Sequence, residues 1–493
     1  MLGRKERSEK MFYYVKMDDL IPEDHLLRLV HRYVDLGFIR RKVSHLYSHT
    51  GRPSIDPEIL LRMLLIGYLY GITSERRLCE DVKMHVGYRW FVGLSLDDTV
   101  PDHSTFSHNR HDRFAESGLF QDIFDGIVTQ CMRHGLVKGT HLTVDATHIK
   151  ANASFKSLDP VVVEMKPKEY IDTLQKENPV DGKPWEPGDD YPHRGEKISN
   201  GTHRSKTDPD ARLSRKAPGA GAQLAHSATY VIDNGTSIIL GAEVCKPDLA
   251  SEAQTALTQI LRSQWRFKLR SRTVGADKGY STGEFIHALT QQRIDPHVPV
   301  IDHRSQNDKG IYPLSAFTFD KEHNRFVCPE GKELCYLGVH SRQHVYRART
   351  KDCRTCPRKD ACTRDRARSL SYHIHETSIE KARSLNTTSR YRISQRMRKR
   401  IEELFGEAKE LMGFRRAKFR YRTFVREQVL TTAAAQNIKR MVKLLSRRGP
   451  LREAGVDRAS LLHLRQSLKS VALMVVRRLH TGWSFSKVTL GWN

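Results

Sequence analysis

Three carboxylates have the residue type and the setting needed to bind hard divalent cations. Asp145 lies in the β-prone run at 142–147, Asp277 ends a second such run, and Glu402 lies in a basic helical segment. Hard cations prefer carboxylate oxygens, and two ions about 3.5 to 4 Å apart can assist both the attacking and the leaving oxygen of a phosphodiester. No one of these acids is diagnostic, because an isolated strand-end aspartate is more often a turn or cap residue. Together they predict a two-metal phosphoryl-transfer site.

The spacing around Glu402 adds a second indication. Arg398, Glu402 and Lys409 are separated by four and seven positions, so a helix would place them along one face. One interpretation assigns Glu402 to a metal ion and the two bases to DNA phosphates. The other interpretation is a solvated face with an ordinary ion pair, and the spacing alone favours neither.

The charge balance favours a polyanionic partner. Lys and Arg number 83 against 57 Asp and Glu, which gives a formal net charge of +26. Residues 391–420 concentrate this excess, with ten bases against four glutamates. Binding to phosphates releases counterions and is favoured by such a surplus. The alternative is a merely basic soluble protein.

Five of the eight cysteines crowd into residues 328–362. Cys353-x2-Cys356-x5-Cys362, with Cys328 upstream, supplies four thiolates, enough for a tetrahedral structural zinc site. Other possible ligands are Cys335, His323 and His344. Free buried thiols and redox chemistry are the alternatives. A zinc site would fold this segment and help it clamp DNA, without a direct part in catalysis.

Short helices with clear start signals are predicted before residue 135. Asp56-Pro57-Glu58 reads as an N-cap, a first-turn proline and an acidic first turn, and Gly71 ends this helix. Ser74 and Asp102 can cap two further helices. The residues expected to be exposed between them are Arg89, Trp90, His103, Ser107, His108, Arg110 and His111. A small DNA-binding helical domain fits, and so does a plain helical packing domain.

The pattern changes to a sheet domain at His141. Apolar residues alternate at 142–147, and residues 228–244 read as a hairpin with an Asp233-Asn234-Gly235 turn. A helix at 251–269 and a strand at 272–276 follow, after which Ser281 and Glu284 form a capping box. Residues 160–222 read as an exposed excursion, and one long amphipathic helix is predicted from Ile393 to Met412.

The acidic motifs resemble those of a known family. The runs are Val144-Asp145-Ala146-Thr147, Gly275-Ala276-Asp277-Lys278-Gly279-Tyr280 and Arg398-Lys399-Arg400-Ile401-Glu402-Glu403-Leu404-Phe405-Gly406-Glu407-Ala408-Lys409. They are similar to the three motifs of DDE transposases of bacterial insertion sequences, in particular the insertion sequence 1182 type within the broad insertion sequence 4 group. The resemblance extends to residues 56–114, to Lys206-Thr207-Asp208-Pro209-Asp210-Ala211 and to the cysteine segment.

The resemblance implies a role for each of these positions. Asp145 would bridge two Mg²⁺ ions, for which Mn²⁺ can substitute, while Asp277 and Glu402 would each bind one of them. Arg398 and Lys409 would contact the end of the element. Further candidates for DNA contact are Lys278, Arg415 and Arg416. Two departures from the family pattern, Gln395 in place of a tyrosine and Tyr421 in place of a common glycine, put an aromatic base wedge in doubt but not the metal site.

The expected fold class is α/β, a ribonuclease H-like catalytic core with an N-terminal all-helical DNA-binding domain and a cysteine-rich insertion. The expected domains are residues 1–135, helical; 136–297, first part of the core; 298–390, the insertion; 391–445, C-terminal core helices; and 446–493, a basic tail.

The expected function is a transposase that binds terminal inverted repeats, cleaves them and transfers strands, as a homodimer in a synaptic complex. Alternatives are a ribonuclease H-like nuclease without strand transfer and a non-catalytic DNA-binding derivative. Because the N-terminus has no apolar signal core and no run reaches membrane-spanning length, a cytoplasmic, nucleoid-associated protein without a membrane segment is expected.

Overall fold

The computed structural model describes residues 14–447, except 49, 52–53, 110–112, 115–116, 162–197, 216–218, 220 and 301–310. Contacts divide the chain into residues 1–441 and 442–493, and only 442–447 of the second unit are described. The expected basic tail at 446–493 therefore lies almost wholly outside the described residues, as do Arg110 and His111.

Seven helices form the N-terminal part of the described chain. They are α1 Leu26–Tyr33, α2 Phe38–Val43, α3 Pro57–Leu69, α4 Glu75–Met84, α5 Val86–Val92, α6 His103–His108 and α7 Leu119–Arg133. The three predicted N-caps are confirmed, because the side chains of Asp56, Ser74 and Asp102 accept hydrogen bonds from the first turns of α3, α4 and α6. Gly71 follows the end of α3 with a left-handed φ of 70°, a conformation that glycine adopts without strain.

Two side chains expected to be exposed in this region are instead part of its packing. Arg89 lies on α5, is 5% exposed and donates to the carbonyl oxygens of Leu96 (3.0 Å) and Asp98 (2.6 Å). Trp90 Nε1 donates to Asp18 Oδ1 at 3.1 Å. Both side chains satisfy polar groups of neighbouring loops, so the expectation of exposure was wrong for them. Ser107 and His108 are exposed as expected.

A mixed six-stranded sheet forms the centre of the fold. Its strands are β1 His141–Lys150, β4 Arg212–Ser214, β5 Gln223–Asp233, β6 Ile239–Cys245, β7 Thr273–Gly275 and β8 Asp295–His297. The order is β4-β5-β1-β7-β8, with β6 also paired to β5. β1 runs antiparallel to β5 and parallel to β7. The strand at β1 and the β5–β6 hairpin agree with the sequence predictions.

Helices cover both faces of this sheet. Helix α8, Leu249–Phe267, packs on β5 and β6, and α9, Gly283–Gln291, packs on α8 and β8. On the opposite face the ring of Tyr230 in β5 lies 4.7 Å from that of Phe405. The capping box was misplaced by one residue, because Thr282 rather than Ser281 accepts the hydrogen bond at the start of α9.

Part of the predicted excursion belongs to the fold. β2, Leu158–Pro160, pairs with β3, His203–Ser205, and β4 joins the central sheet. Asp208 is fully buried, and its Oδ2 lies 2.9 Å from Nε2 of His226 on β5. This buried polar pair and β4 attach residues 208–214 to the central sheet, while β3 pairs with β2, so the interpretation of 160–222 as wholly exposed was wrong for residues 203–214. Residues 162–197 lie outside the described part.

The cysteine-bearing segment, which was expected to be an insertion and is called the insertion below, forms an antiparallel sheet of its own. Its strands are β9 Thr318–Asp320, β10 Arg325–Val327, β11 Glu333–His340, β12 Gln343–Ala348 and β13 Ser369–His373, in the order β13-β12-β11-β10-β9. Two short helices follow β12, α10 Thr350–Arg354 and α11 Lys359–Cys362. The buried residues of this small core are Phe317, Phe326, Leu334, Tyr346, Ala348 and Leu370.

Four helices complete the described chain. They are α12 Glu376–Leu385, α13 Ser389–Met397, α14 Lys399–Leu411 and α15 Arg422–Arg447. Short 3₁₀ turns occur at Met17–Leu20, Ser44–Leu46, Phe155–Ser157, Lys278–Tyr280 and Leu314–Ala316. The prediction of one helix from Ile393 to Met412 was wrong, because the helix is interrupted at Arg398. No helix within the described ranges is both long and apolar enough to span a membrane.

Candidate active site

Strand register brings two of the three predicted carboxylates to the same level of the central sheet. β1 and β7 are parallel neighbours, and Thr143 is paired with Gly275. Asp145 and Asp277 each follow this pair by two residues. Asp145 lies in the middle of β1 rather than at its end, and Asp277 lies two residues after the end of β7, so the register places both at the same level of strands that are about 4.8 Å apart. Asp277 then caps the turn at Lys278–Tyr280, where its Oδ1 accepts a hydrogen bond from Gly279 N at 2.9 Å.

Asp145 lies in an environment that opposes its ionisation. Its side chain is 16% exposed, and burial is the main cause that raises its pKa from 3.8 to about 7. The carboxylates of Asp277 and Glu402 raise that pKa further, while the Ala146 amide and Arg398 lower it. Three acids that interact in a partly buried place repel one another, so a cation between them would be stabilised.

Helix α14 supplies the third carboxylate, and Arg398, the residue just before this helix, connects it to the sheet. Arg398 Nη2 lies 2.9 Å from Glu402 Oε1, and its Nη1 lies 3.4 Å from Asp145 Oδ2. The guanidinium therefore joins the strand aspartate to the helix glutamate. Glu402, at 51% exposure, remains accessible to solvent. The Arg398–Glu402 ion pair is the one that the second interpretation of the spacing, a solvated face with an ordinary ion pair, expects, whereas that interpretation does not include the contact of Arg398 with Asp145.

The side chain of Lys409 contacts the same face of the sheet as Asp145. Its Nζ contacts Thr147 Oγ1, two residues beyond Asp145. Side chains two residues apart on a strand point to the same face. One surface made by β1, Arg398 and α14 therefore contains Asp145, Glu402, Arg398 and Lys409.

The other predicted DNA contacts surround this surface. Lys278 is exposed in the turn capped by Asp277. The backbone of Arg416 forms an isolated parallel β-bridge with Lys150 in β1, and its Nη2 donates to Asn152 Oδ1 at 3.2 Å. The side chain of Arg415 forms an ion pair with Glu410. The segment after α14 thus lies along the end of β1.

Two structural supports of this surface were not anticipated from the sequence. Gln395 on α13 donates from Nε2 to the carbonyl oxygens of Ala276 (3.2 Å) and His297 (2.6 Å). It therefore fixes α13 against the strand end that carries Asp277. The only sequence signal was a glutamine on a helix, and that does not reveal a long-range partner.

The second support is the acidic motif at 206–211. Asp208 Oδ1 accepts from Tyr421 N at 3.2 Å, and Asp210 Oδ2 accepts from Arg422 N at 3.0 Å. Tyr421 has a left-handed φ of 64°, which explains why glycine would suit this position. The motif therefore holds the first residues of α15 and the basic segment before them.

Four of the five cysteines in the insertion border one cavity, and the fifth does not. A cavity of about 30 Å³ is bordered by Cys328, Cys353, Cys356 and Cys362. Cys335 does not border it and lies on β11. Across the described ranges, no three His, Cys, Asp or Glu side chains already stand close enough together to hold a metal ion. The residue types at the acidic surface and at the cysteine cavity are nevertheless of the kinds that bind metal ions.

Comparisons with known proteins identify transposase domains in two parts of this chain. Residues 15–112 match a family model described as "Transposase domain (DUF772)", and residues 327–442 match one described as "Transposase DDE domain". The second match contains Glu402 and the four cysteines but neither Asp145 nor Asp277. No curated protein matches the chain.

One similar solved structure is a cryo-EM structure of the piggyBac transposase synaptic complex with hairpin DNA. It is 11% identical over 90% of this chain and 84% of that chain, with a TM-score of 0.30, which does not establish a shared fold.

The two domain matches support a DDE transposase, a class that generally uses divalent metal ions. They do not distinguish the insertion sequence 1182 type from other groups.

Proposed function

We propose that this protein is the transposase of an insertion sequence, which binds the element's terminal inverted repeats and catalyses DNA strand cleavage and strand transfer. The observation that carries the proposal is the meeting of Asp145 and Glu402 at one guanidinium, with Asp277 at the same level on the adjacent parallel strand. These acids come from three distant parts of the sequence, and local turn chemistry alone gives no reason for them to converge.

In the proposed site Asp145, Asp277 and Glu402 would hold two Mg²⁺ ions. When bound, such ions activate the attacking oxygen and stabilise the leaving oxygen of a phosphodiester. The chain's own contribution is to fix the carboxylates on rigid elements. Arg398, which lies 3.4 Å from Asp145 and 2.9 Å from Glu402, offsets part of their negative charge and would be placed to contact a DNA phosphate if metal ions took over that role.

Positioning of DNA falls to the basic residues that surround the acids. Lys409 lies beside the β1 face and would contact a phosphate near the scissile bond. Lys278, Arg415 and Arg416 would extend the contact on either side. DNA further from the carboxylates would be bound by the helical region before residue 135 and by the insertion at 298–390. The core, at 136–297 and 391–445, would have a ribonuclease H-like fold. The proposed protein acts as a homodimer in a synaptic complex. It is located in the cytoplasm, in association with the nucleoid.

The test is to incubate the purified chain with DNA that carries both flanks of its own gene. With Mg²⁺ or Mn²⁺, cuts are expected at the two ends of the element, and EDTA should abolish them. Asp145→Asn should abolish the cuts while the protein still binds the same ends. Cuts at random positions, or cuts by the Asp145→Asn variant, would contradict the proposal.

A ribonuclease H-like nuclease would use the same acids and only hydrolyse. Pre-cut ends with a free 3′-hydroxyl discriminate between the two, because a transposase joins them to target DNA and a nuclease does not. A non-catalytic DNA-binding derivative would bind the ends and do neither.

A further inference from the structure

The insertion contains a small cavity whose wall is rich in sulfur. Cys328 approaches it from the turn between β10 and β11, Cys353 from α10, Cys356 from the following turn and Cys362 from the end of α11. None of these cysteines is in a disulfide. The cavity volume of about 30 Å³ is suited to one ion.

The same geometry separates these four cysteines from the other candidate ligands. Leu334 is fully buried and borders the cavity, so Cys335, the next residue on the strand, points to the opposite face. His323 is 62% exposed and pairs with Asp320 at 2.9 Å. His344 Nδ1 lies 3.0 Å from the hydroxyl of Tyr336, and neither histidine borders the cavity.

The backbone around Cys328 is arranged to direct its sulfur. Cys328 N donates to Lys332 O at 2.8 Å, and Gly331 N donates to Cys328 O at 2.8 Å. Gly331 has a left-handed φ of 72°, which permits this tight turn. Lys332 N then donates to Cys328 Sγ at 3.2 Å. Amide donors to a sulfur orient a thiolate ligand and stabilise its charge.

A second possible donor near the cavity is the guanidinium of Arg368. Arg368 borders the cavity and is held by bonds from Nη1 to Cys362 O and from Nη2 to Tyr312 O, both 2.8 Å. Its Nε is buried and has no hydrogen-bond partner in the described part of the chain. A buried guanidinium N–H without an acceptor, beside four thiols, is suited to thiolate charge.

The segment 350–362 needs an additional source of stability. Helices α10 and α11 have five and four residues, and neither contains a buried residue. Their contacts with the hydrophobic core of the insertion include Cys353 and Cys362 themselves. Helices this short are unstable in isolation, and small cores commonly depend on a metal or a disulfide.

We propose that Cys328, Cys353, Cys356 and Cys362 bind one zinc ion as four thiolates and thereby fold residues 350–362 against the insertion's sheet. On binding, the thiols release their protons to solvent and four Zn–S bonds of about 2.3 Å form, with no change of oxidation state. The thiol side chains turn toward the cavity as the ion enters. This site lies in a different sheet from the carboxylates and is independent of the transposase proposal.

The test uses the full chain, produced with zinc and purified under reducing conditions. Elemental analysis should give one zinc per chain, and Cys335→Ser should retain it. Cys353→Ser should lose most of it. Replacement of zinc by Co²⁺ should give the intense absorption of tetrahedral cobalt together with sulfur-to-metal charge-transfer bands. These bands should persist with reduced charge-transfer intensity in Cys356→His, which conserves four ligands.

Proteolysis provides a readout that does not require a variant to fold. Trypsin should cut at Lys351, Arg354 or Lys359 at least tenfold faster after chelation of the metal than before. A zinc-free chain, equal zinc loss in Cys335→Ser and Cys353→Ser, an octahedral cobalt spectrum, or tryptic cleavage that chelation leaves unchanged would each overturn the proposal.

Discussion

Replacement of Asp145 by asparagine should stabilise the metal-free protein at alkaline pH. Burial raises the pKa of this carboxyl from 3.8 to about 7. A raised carboxyl pKa contributes stability that is fully present below the unfolded-state pKa and is lost as the pH rises through about 7. At about 1.4 kcal/mol per pKa unit, the upper limit of the destabilisation is about 4 kcal/mol at pH 8. Asparagine has a similar shape and no charge, so it removes that cost.

The assay is urea unfolding in EDTA at several pH values between 4 and 8. The stability difference between Asp145→Asn and the unmodified chain should be near zero at pH 4 and should grow to between about 2 and 4 kcal/mol at pH 8. Mg²⁺ should then raise the stability of the unmodified chain and leave the variant unchanged. As a control, Asp277→Asn conserves the acceptor for Gly279 N, so a change below about 1 kcal/mol is expected. Parallel stability curves for Asp145→Asn and the unmodified chain across this range would refute the reasoning.

Three further predictions concern the elements that position the site. A Cβ at Gly71 would lie 2.4 Å from the carbonyl oxygen of Leu411, whereas Gly93 has a similar φ and open space. Gly71→Ala should therefore lower the free energy of unfolding by at least about 2 kcal/mol and Gly93→Ala by about 1, and equal losses would argue against this close approach. Lys409→Ala should weaken binding to the element's ends and reduce the slope of log affinity against log salt by about one, so an unchanged slope would count against a phosphate contact. Gln395→Ala removes two hydrogen bonds and should slow cleavage at least tenfold while the affinity for DNA changes less than twofold; an unaltered rate would exclude a positioning role.

The sequence was sufficient for those parts of the fold that depend on local patterns. Alternation predicted β1, the Asp233-Asn234-Gly235 turn predicted the β5–β6 hairpin, and the caps at Ser74 and Asp102 were confirmed. Each of these features is decided by residues within a few positions of one another. The juxtaposition of Asp145 and Asp277 came from a family resemblance, because strand pairing across more than a hundred residues has no local signal.

Several of the errors involve partners that local sequence patterns do not reveal. The helix interruption at Arg398 accompanies its ion pair with Asp145, and no pattern near residue 398 indicates this partner. Residues 203–214 are polar and rich in turn formers, yet Asp208 pairs with His226 on β5 and β4 joins the central sheet. Arg89 was expected to be exposed between short helices, but it lies on α5 and backbone carbonyls of the following loop bind its guanidinium.

The most direct test of the central claim is iron-directed cleavage of the protein backbone. Fe²⁺ can replace Mg²⁺ at carboxylate sites, and with ascorbate and peroxide it generates radicals that cut the chain next to the ion. If the three acids share their cations, the unmodified protein should be cut near residues 145, 277 and 402, competitively with Mg²⁺, and Asp145→Asn should lose all three cuts. Cuts confined to one of these positions, or found elsewhere on the chain, would contradict a shared metal site.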